Sequence, residues 1–259
     1  MNQKQQIAAE ILYNANAYKT PCDPIRTVIG ETDVAMAYSV QEININKRKD
    51  AGEKVVGKKI GLTSFAVQKQ LGVDQPDYGV LFDTMEVDNG GTLSTSVLMQ
   101  PKAEAEIAFV MKDDLEGDIT MEKLEAAIDY AVASIEVVGS RVESWNIRIT
   151  DTIADNASAS HFVLGHNKVK IENIDLTGCK MSMTKNGEIA SEGTGAACMD
   201  NPLNAALWLA QVMSDNGHPL RAGEVLLSGA LGPMVNIGAG DSIVAEIEGL
   251  GDVKLSIES

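Results

Sequence analysis

The chain predicts an α+β fold built round a mainly antiparallel sheet. After residue 55, short apolar runs of strand length outnumber helical patterns, and several are joined by hairpin-type turns. Strands and helices do not alternate regularly, as a parallel α/β sheet would require. The first fifty or so residues lack these features and read as a helical arm, which divides the chain into residues 1–54 and a β domain over 55–259.

In residues 3–18, Ile7, Ala8, Ile11, Leu12 and Ala15 follow the spacing of an amphipathic helix, ended by Thr20-Pro21. Thr32 or Asp33 caps a second helix through Val34, Ala37, Tyr38 and Gln41, which fades in the basic segment 46–50. A strand follows over Val55–Gly61, then a short helix capped by Ser64 and stopped at Gly72. Pro76-Asp77-Tyr78-Gly79 is a turn by residue type. Pro101–Val110 is a strand, Met121–Tyr130 a helix with Thr120 as its cap, and Ala131–Gly139 an apolar strand. Residues 151–160, dense in small polar side chains, suit either a helix start or a close-packed loop, and His161 reads as a packed strand residue. Met181–Ala190 is a hairpin turning at Asn186-Gly187, and Asn201-Pro202 starts a helix that ends at Gly217. Val225–Ser228 enters the loop Gly229–Met234, and strands over Ser242–Ile247 and Asp252–Ile257 close the fold.

Chemistry concentrates in the strand Pro101–Val110. Glu104 and Glu106 stand two residues apart, so strand alternation points both carboxylates to one face. Side by side on a buried face they repel, and without water or a cation between them at least one takes up a proton. A hard divalent cation removes the conflict. Glu136, set in the apolar run Ala133-Ser134-Ile135-Glu136-Val137-Val138, supplies a third acid of the kind that suits Mg²⁺ or Mn²⁺. An isolated Glu-X-Glu is more often a solvated sheet face; the apolar flanks and the third acid bring the metal reading level with that one. Lys59, where strand becomes loop between Val55-Val56 and Ile60-Leu62, is a candidate site lysine, although lysines are mostly solvated. Three histidines, none at metal spacing with another, leave little support for a zinc site. The glycines of Gly229–Met234 do not follow the Rossmann or P-loop spacing, which disfavours nucleotide binding.

The 259 residues carry 37 acidic against 21 basic side chains, a formal charge of −16, which argues against nucleic acid or an anionic membrane as partner. Three distant cysteines do not form a disulfide framework, and neither a signal peptide nor a membrane-length apolar run is present, so a cytoplasmic protein is expected.

Six stretches together resemble the 2-hydroxypenta-2,4-dienoate hydratases (2-keto-4-pentenoate hydratases) of the fumarylacetoacetate hydrolase superfamily, which serve meta-cleavage breakdown of aromatic compounds. They are Lys59-Ile60-Gly61-Leu62-Thr63, Gln75-Pro76-Asp77-Tyr78-Gly79, Glu104-Ala105-Glu106, Glu136-Val137-Val138-Gly139-Ser140-Arg141, residues 151–158 and Gly229–Met234. The resemblance runs from about Val55 to Ile257 and is weak in the arm. It implies a mixed β-sandwich roll and a divalent metal, Mg²⁺ or Mn²⁺, held by Glu104, Glu106 and Glu136. It further implies that Lys59 orients the substrate carboxylate or moves a proton at its C2 oxygen, and that Asp77 does general acid/base work near the reacting carbons. Asn156, Ser158 and Ser160 are then candidates for polar contacts to substrate, with the backbone at Leu231-Gly232 shaping the far end of the pocket. The substrate implied is a small 2-oxo or 2-hydroxy dienoic acid. A homo-oligomer, often a decamer, and association with the pathway's decarboxylase or aldolase are implied as well. The rivals are the related 4-oxalocrotonate decarboxylase, with the same three glutamates, and an inactive subunit that supports a partner enzyme.

Overall fold

The computed structural model describes residues 3–71 and 73–259. The arm holds α1 (Gln3–Tyr18), α2 (Arg26–Ile29) and α3 (Val34–Asp50), the last capped by the Asp33 carboxylate on the Met36 N–H. After β1 (Val55–Gly61) come α4 (Phe65–Leu71), β2 (Asp77–Phe82), β3 (Glu86–Val87), β4 (Thr92–Ser94) and β5 (Lys102–Met111). The middle of the chain forms α5 (Met121–Ala127), β6 (Ile128–Val138), α6 (Ile149–Ala154) and β7 (Ala159–Leu164). The remainder forms β8 (Lys180–Lys185), β9 (Glu188–Thr194), α7 (Pro202–Asp215), β10 (Val225–Ala230), β11 (Val235–Asn236), β12 (Ser242–Ile247) and β13 (Gly251–Glu258).

Two sheets make the α+β architecture. One runs β2-β1-β10-β5-β6-β7-β3, with β11 beside β5; the other runs β4-β13-β12-β8-β9. Pairing is antiparallel except at β1/β10, β13/β4 and β3/β7. The second sheet packs across β6, and the core between them is filled by Ile107, Phe109, Ile135, Met183, Ile243 and Val253 among others. β6 is almost wholly buried, which is why it reads as an apolar run broken by Ser134 and Glu136, whereas β13 alternates buried and exposed positions. α7 lays Leu209, Ala210 and Met213 on the same core beside β10 and β1.

The N-terminal helices pack into a second apolar cluster that they share with Val142 and α6. Ala8, Ala9 and Leu12 of α1 meet Ala37 and Val40 of α3, and this face closes on Ile149, Ile153 and Ala154 of α6. Alanines at the contact let the helix axes approach closely. The buried Gln41 ties α3 down by donating to the Tyr78 and Ile153 carbonyls, both at 2.9 Å. The arm thereby backs the segment 149–158, which borders the site described below.

Several elements differ from expectation. Asp77 opens a strand rather than sitting in a turn: Asp77 and Gly79 pair with Gly61 and Lys59. The polar residue types there mimic a turn because the face they point to is a polar site. The helix expected over 121–130 stops at Ala127, where strand pairing of Ile128 with Met111 takes over. The four-residue α2 was not legible. The expected stop at Gly72 lies outside the described residues. No helix among the described residues is long and apolar enough to cross a membrane.

Candidate metal centre

β5 and β6 set the acids by register. Glu104 lies directly opposite Glu136, and Glu106, opposite Ser134, adds a carboxylate one strand step along the same face. One oxygen from each of Glu104, Glu106 and Glu136 can be chosen so that all lie within 4.8 Å of one another. Glu106 and Glu136 are fully buried; Glu104 keeps some residue surface open while its carboxylate is packed round by protein.

The polar groups round these acids are too few to satisfy them. Between Leu227 and Ala230 the pairing of β10 with β5 is irregular, and Gly229, at φ 117°, turns its N–H onto Glu106 Oε2 at 2.9 Å. Glu106 Oε1 and both Glu136 oxygens have no hydrogen-bond partner. Lys59 Nζ stands 3.1 Å from Glu136 Oε1, an ion-pair distance without hydrogen-bond alignment, and donates to the Ala157 carbonyl at 3.1 Å. Asp77, 1 % exposed, leaves both carboxylate oxygens unpartnered. A Cβ at Gly61 would fall 2.2 Å from Asp77 Oδ1 and 3.6 Å from Lys59 Nζ, so both groups border the space over that glycine. Native interiors rarely orphan so many buried oxygens together, and a cation with open coordination positions is the partner they fit.

Burial dominates the titration of the cluster. It raises Glu104 to about 7, helped by the Glu136 charge and opposed by Lys59. Glu106 is driven well above the carboxylate range by burial, then by Glu136 and Glu104. Glu136 is also raised by burial, against the pull of Lys59. Burial alone would lower Lys59, but Glu136, Glu104, Asp77 and Glu106 outweigh it and keep the ammonium charged. Asp77 is raised to about 6 by burial, partly offset by Lys59.

Without metal, then, protons occupy part of the site near neutral pH, and an ion must displace them. Mn²⁺ affinity is expected to rise with pH across the region around 7, with release of at least one proton per ion. Calorimetric titration in two buffers of different ionisation enthalpy checks this. An affinity independent of pH, with no proton release, would remove the three acids as ligands.

Other expected site residues lie differently. Asn156 spends its amide on Val80, accepting from the N–H at 2.8 Å and donating to the carbonyl at 2.9 Å. β2 is an edge strand, and this side chain occupies its open edge as a neighbouring strand would. In this structure the amide acts as a structural clasp on the edge of β2. Asn156→Ala is expected to cost about 2 kcal/mol, two hydrogen bonds' worth, in denaturant unfolding, with metal affinity unchanged; a raised KM at unaltered stability would restore the substrate role. Ser160 Oγ pairs with His161 Nδ1 at 2.9 Å on the wall of a cavity of about 340 Å³ shared with Lys19, Arg48 and Arg141, which none of the three glutamates lines. There burial and then the Lys19, Arg48 and Arg141 charges push His161 down to about 4. Leu231 is a core residue whose N–H donates to the Ala105 carbonyl, and Gly232 packs on Met181 and the Glu192 carbonyl, so this backbone is committed to the sheets. Ser158, buried, faces the Thr152 hydroxyl at 3.3 Å, one residue beyond the carbonyl that holds Lys59.

Three contributors went unread in the sequence: the Gly229 N–H, the Ala157 carbonyl, and the Arg141–Asp155 ion pair beside it. A glycine-rich loop after an apolar strand hints at the first. Nothing in the residue type of an alanine marks the second.

Residues 69–258 match the model of the fumarylacetoacetate (FAA) hydrolase C-terminal family. The chain is 52 % identical to the TodF product hydratase of Pseudomonas putida F1, covering 95 % of this chain and 92 % of that one. It is also 52 % identical to a 2-keto-4-pentenoate hydratase of Burkholderia vietnamiensis G4, covering 94 % and 93 %. Among solved structures it superposes on 4-oxalocrotonate decarboxylase from Pseudomonas putida G7, complexed with magnesium and adipate, with TM-score 0.93 and 36 % identity over 99 % of this chain and 98 % of that one. The chain belongs to the fumarylacetoacetate hydrolase family, in its group of 2-keto-4-pentenoate hydratases.

Proposed function

We propose that this chain is a divalent-metal-dependent hydratase that adds water to 2-hydroxypenta-2,4-dienoate to give 4-hydroxy-2-oxopentanoate, in the breakdown of aromatic compounds. The observation that carries the reading is the register-set acid cluster Glu104, Glu106 and Glu136, with orphaned oxygens and Lys59 and Asp77 at its edge. Identity of 52 % to hydratases against 36 % to the decarboxylase favours water addition over decarboxylation.

The reaction needs a proton moved from the C2 hydroxyl and one delivered to C5, which gives the α,β-unsaturated ketone. Water oxygen then joins C4 while C3 gains a proton. When bound by the three glutamates, Mg²⁺ or Mn²⁺ supplies Lewis-acid stabilisation of negative charge at the C1 carboxylate and C2 oxygen. Lys59, kept as an ammonium, orients the substrate carboxylate and holds the proton at the C2 oxygen. Asp77, raised to about 6, exchanges protons near neutral pH and is suited to serve the reacting carbons. Ser158, next in the chain to the Ala157 carbonyl, supplies a polar contact to substrate in this reading. The arm, residues 1–54, supports the catalytic domain, 55–259, by backing the 149–158 segment. A homo-oligomer working in the cytoplasm, with the pathway's decarboxylase or aldolase as an associate, completes the proposal.

The test is metal-stripped protein given freshly made 2-hydroxypenta-2,4-dienoate, with and without Mg²⁺ or Mn²⁺, following dienol absorbance and identifying the product by mass. Metal-dependent 4-hydroxy-2-oxopentanoate supports the hydratase. CO₂ release from 2-oxo-3-hexenedioate in its absence moves the assignment to the decarboxylase.

A further inference from the structure

The carbonyl that receives Lys59 belongs to an unusual stretch of backbone. Asn156, Ala157 and Ser158 have φ of 55°, 49° and 58°, three consecutive non-glycine residues in the left-handed region. There Cβ crowds the following carbonyl, so such a run does not persist unless its surroundings hold it. Arg141 grips it from both sides. Its Nη2 donates to the Asp155 carbonyl at 2.7 Å and its Nη1 to the Ala159 carbonyl at 3.3 Å, the residues immediately before and after the triplet. Its backbone N–H and Nε take the two Asp155 carboxylate oxygens at 2.9 and 2.5 Å. Both residues are buried, Arg141 at 8 % and Asp155 at 5 % exposure. Arg141 also follows β6, five residues beyond Glu136, so one run of chain carries both an acid of the site and the clamp.

We propose that Arg141 is a positioning residue for Lys59: by bridging the carbonyls on either side of the left-handed triplet it fixes the Ala157 carbonyl, and through it the ammonium, between Glu136 and Asp77. The claim rests on the hydratase reading and adds a residue that acts without touching substrate. An arginine is required because its rigid fork presents several donors at once, whereas a lysine's single nitrogen cannot span two carbonyls and a carboxylate. With the bridge lost, the triplet relaxes out of the left-handed region and the Ala157 carbonyl turns away. Lys59 then has only Glu136 to rest on.

The experiment compares full-length, metal-loaded wild type with Arg141→Lys and Asp155→Asn. Arg141→Lys is expected to lower kcat by roughly 100-fold, the scale of a misplacement of about 1 Å, with KM and Mn²⁺ affinity close to wild type. Asp155→Asn keeps both bridged carbonyls but turns an amide NH2 onto one of the two Arg141 N–H groups that the carboxylate accepts, so it is expected to lower kcat as well, by less than Arg141→Lys. In a double-mutant cycle, Arg141→Lys added to Lys59→Met is expected to slow the enzyme no further than Lys59→Met alone. Additive losses, or loss of Mn²⁺ affinity along with kcat, would each overturn the proposal. Inactivity of the wild type on the dienoate would instead sink the hydratase reading; positioning is then read from the rate at which an amine-directed reagent labels Lys59, expected to be faster in Arg141→Lys than in wild type and refuted by equal rates.

Discussion

Glu106→Gln is expected to abolish specific Mn²⁺ binding and to lower turnover by roughly 1,000-fold or more, the several kcal/mol of charge stabilisation that a bound ion contributes. The substitution is nearly isosteric. The amide oxygen can still accept from the Gly229 N–H, which meets Glu106 Oε2 at 2.9 Å, so the irregular end of β10 keeps its anchor. The amide nitrogen, by contrast, offers only donors towards the cluster, and a cation cannot use them. Stability without metal is expected to be no lower than wild type, because burial and then the Glu136 and Glu104 charges already favour a neutral group at this position when no ion is bound. The checks are calorimetric titration with Mn²⁺, turnover on the dienoate, and thermal unfolding of both proteins after chelation. Retained turnover in chelator would remove the three-acid site from the mechanism. Lost binding together with an unfolded protein would mean that Glu106 is structural.

The acid pair was legible because strand alternation is a local rule: Glu104 and Glu106 must share a face once 101–110 is a strand. That Glu136 stands exactly opposite Glu104 is a matter of register, which only the tertiary pairing of β5 with β6 decides. The hairpin at Asn186-Gly187 and the cap at Asn201 were legible for the same local reason, and both stand where expected. Asp77 shows the opposite case. Its residue type argues for a turn, and pairing with Gly61 overrides that preference to carry a carboxylate into the site. For Asn156 and Leu231 a motif locates a segment without saying which way its amide or side chain points. Here one closes a sheet edge and the other fills the core. The left-handed triplet is further out of reach, since Asn, Ala and Ser carry no common signal for that conformation.

Lys59→Met separates the lysine's two roles, counter-charge and proton handler. Turnover is expected to fall by roughly 1,000-fold, within the range usual for a lost general acid or base. The methionine fills the buried stem's space, so the strand pairing of β1 with β2 and β10 is expected to survive, as thermal unfolding would show. Metal binding responds in the other direction at high pH. Removing the ammonium 3.1 Å from Glu136 removes a positive charge that competes with the ion, so Mn²⁺ affinity is expected to equal or exceed wild type once the acids are ionised. On acidification the order reverses. Lys59 lowers the pKa of Glu136, so without it Glu136 takes up its proton at higher pH and Mn²⁺ is displaced earlier. A Mn²⁺ affinity curve against pH that is steeper in the variant, together with lost turnover under conditions where metal is saturating, assigns Lys59 to proton handling and substrate orientation. Turnover that recovers fully whenever metal is saturating would leave Lys59 as a counter-charge alone, and the proton held at the substrate's C2 oxygen would have to be assigned to another group.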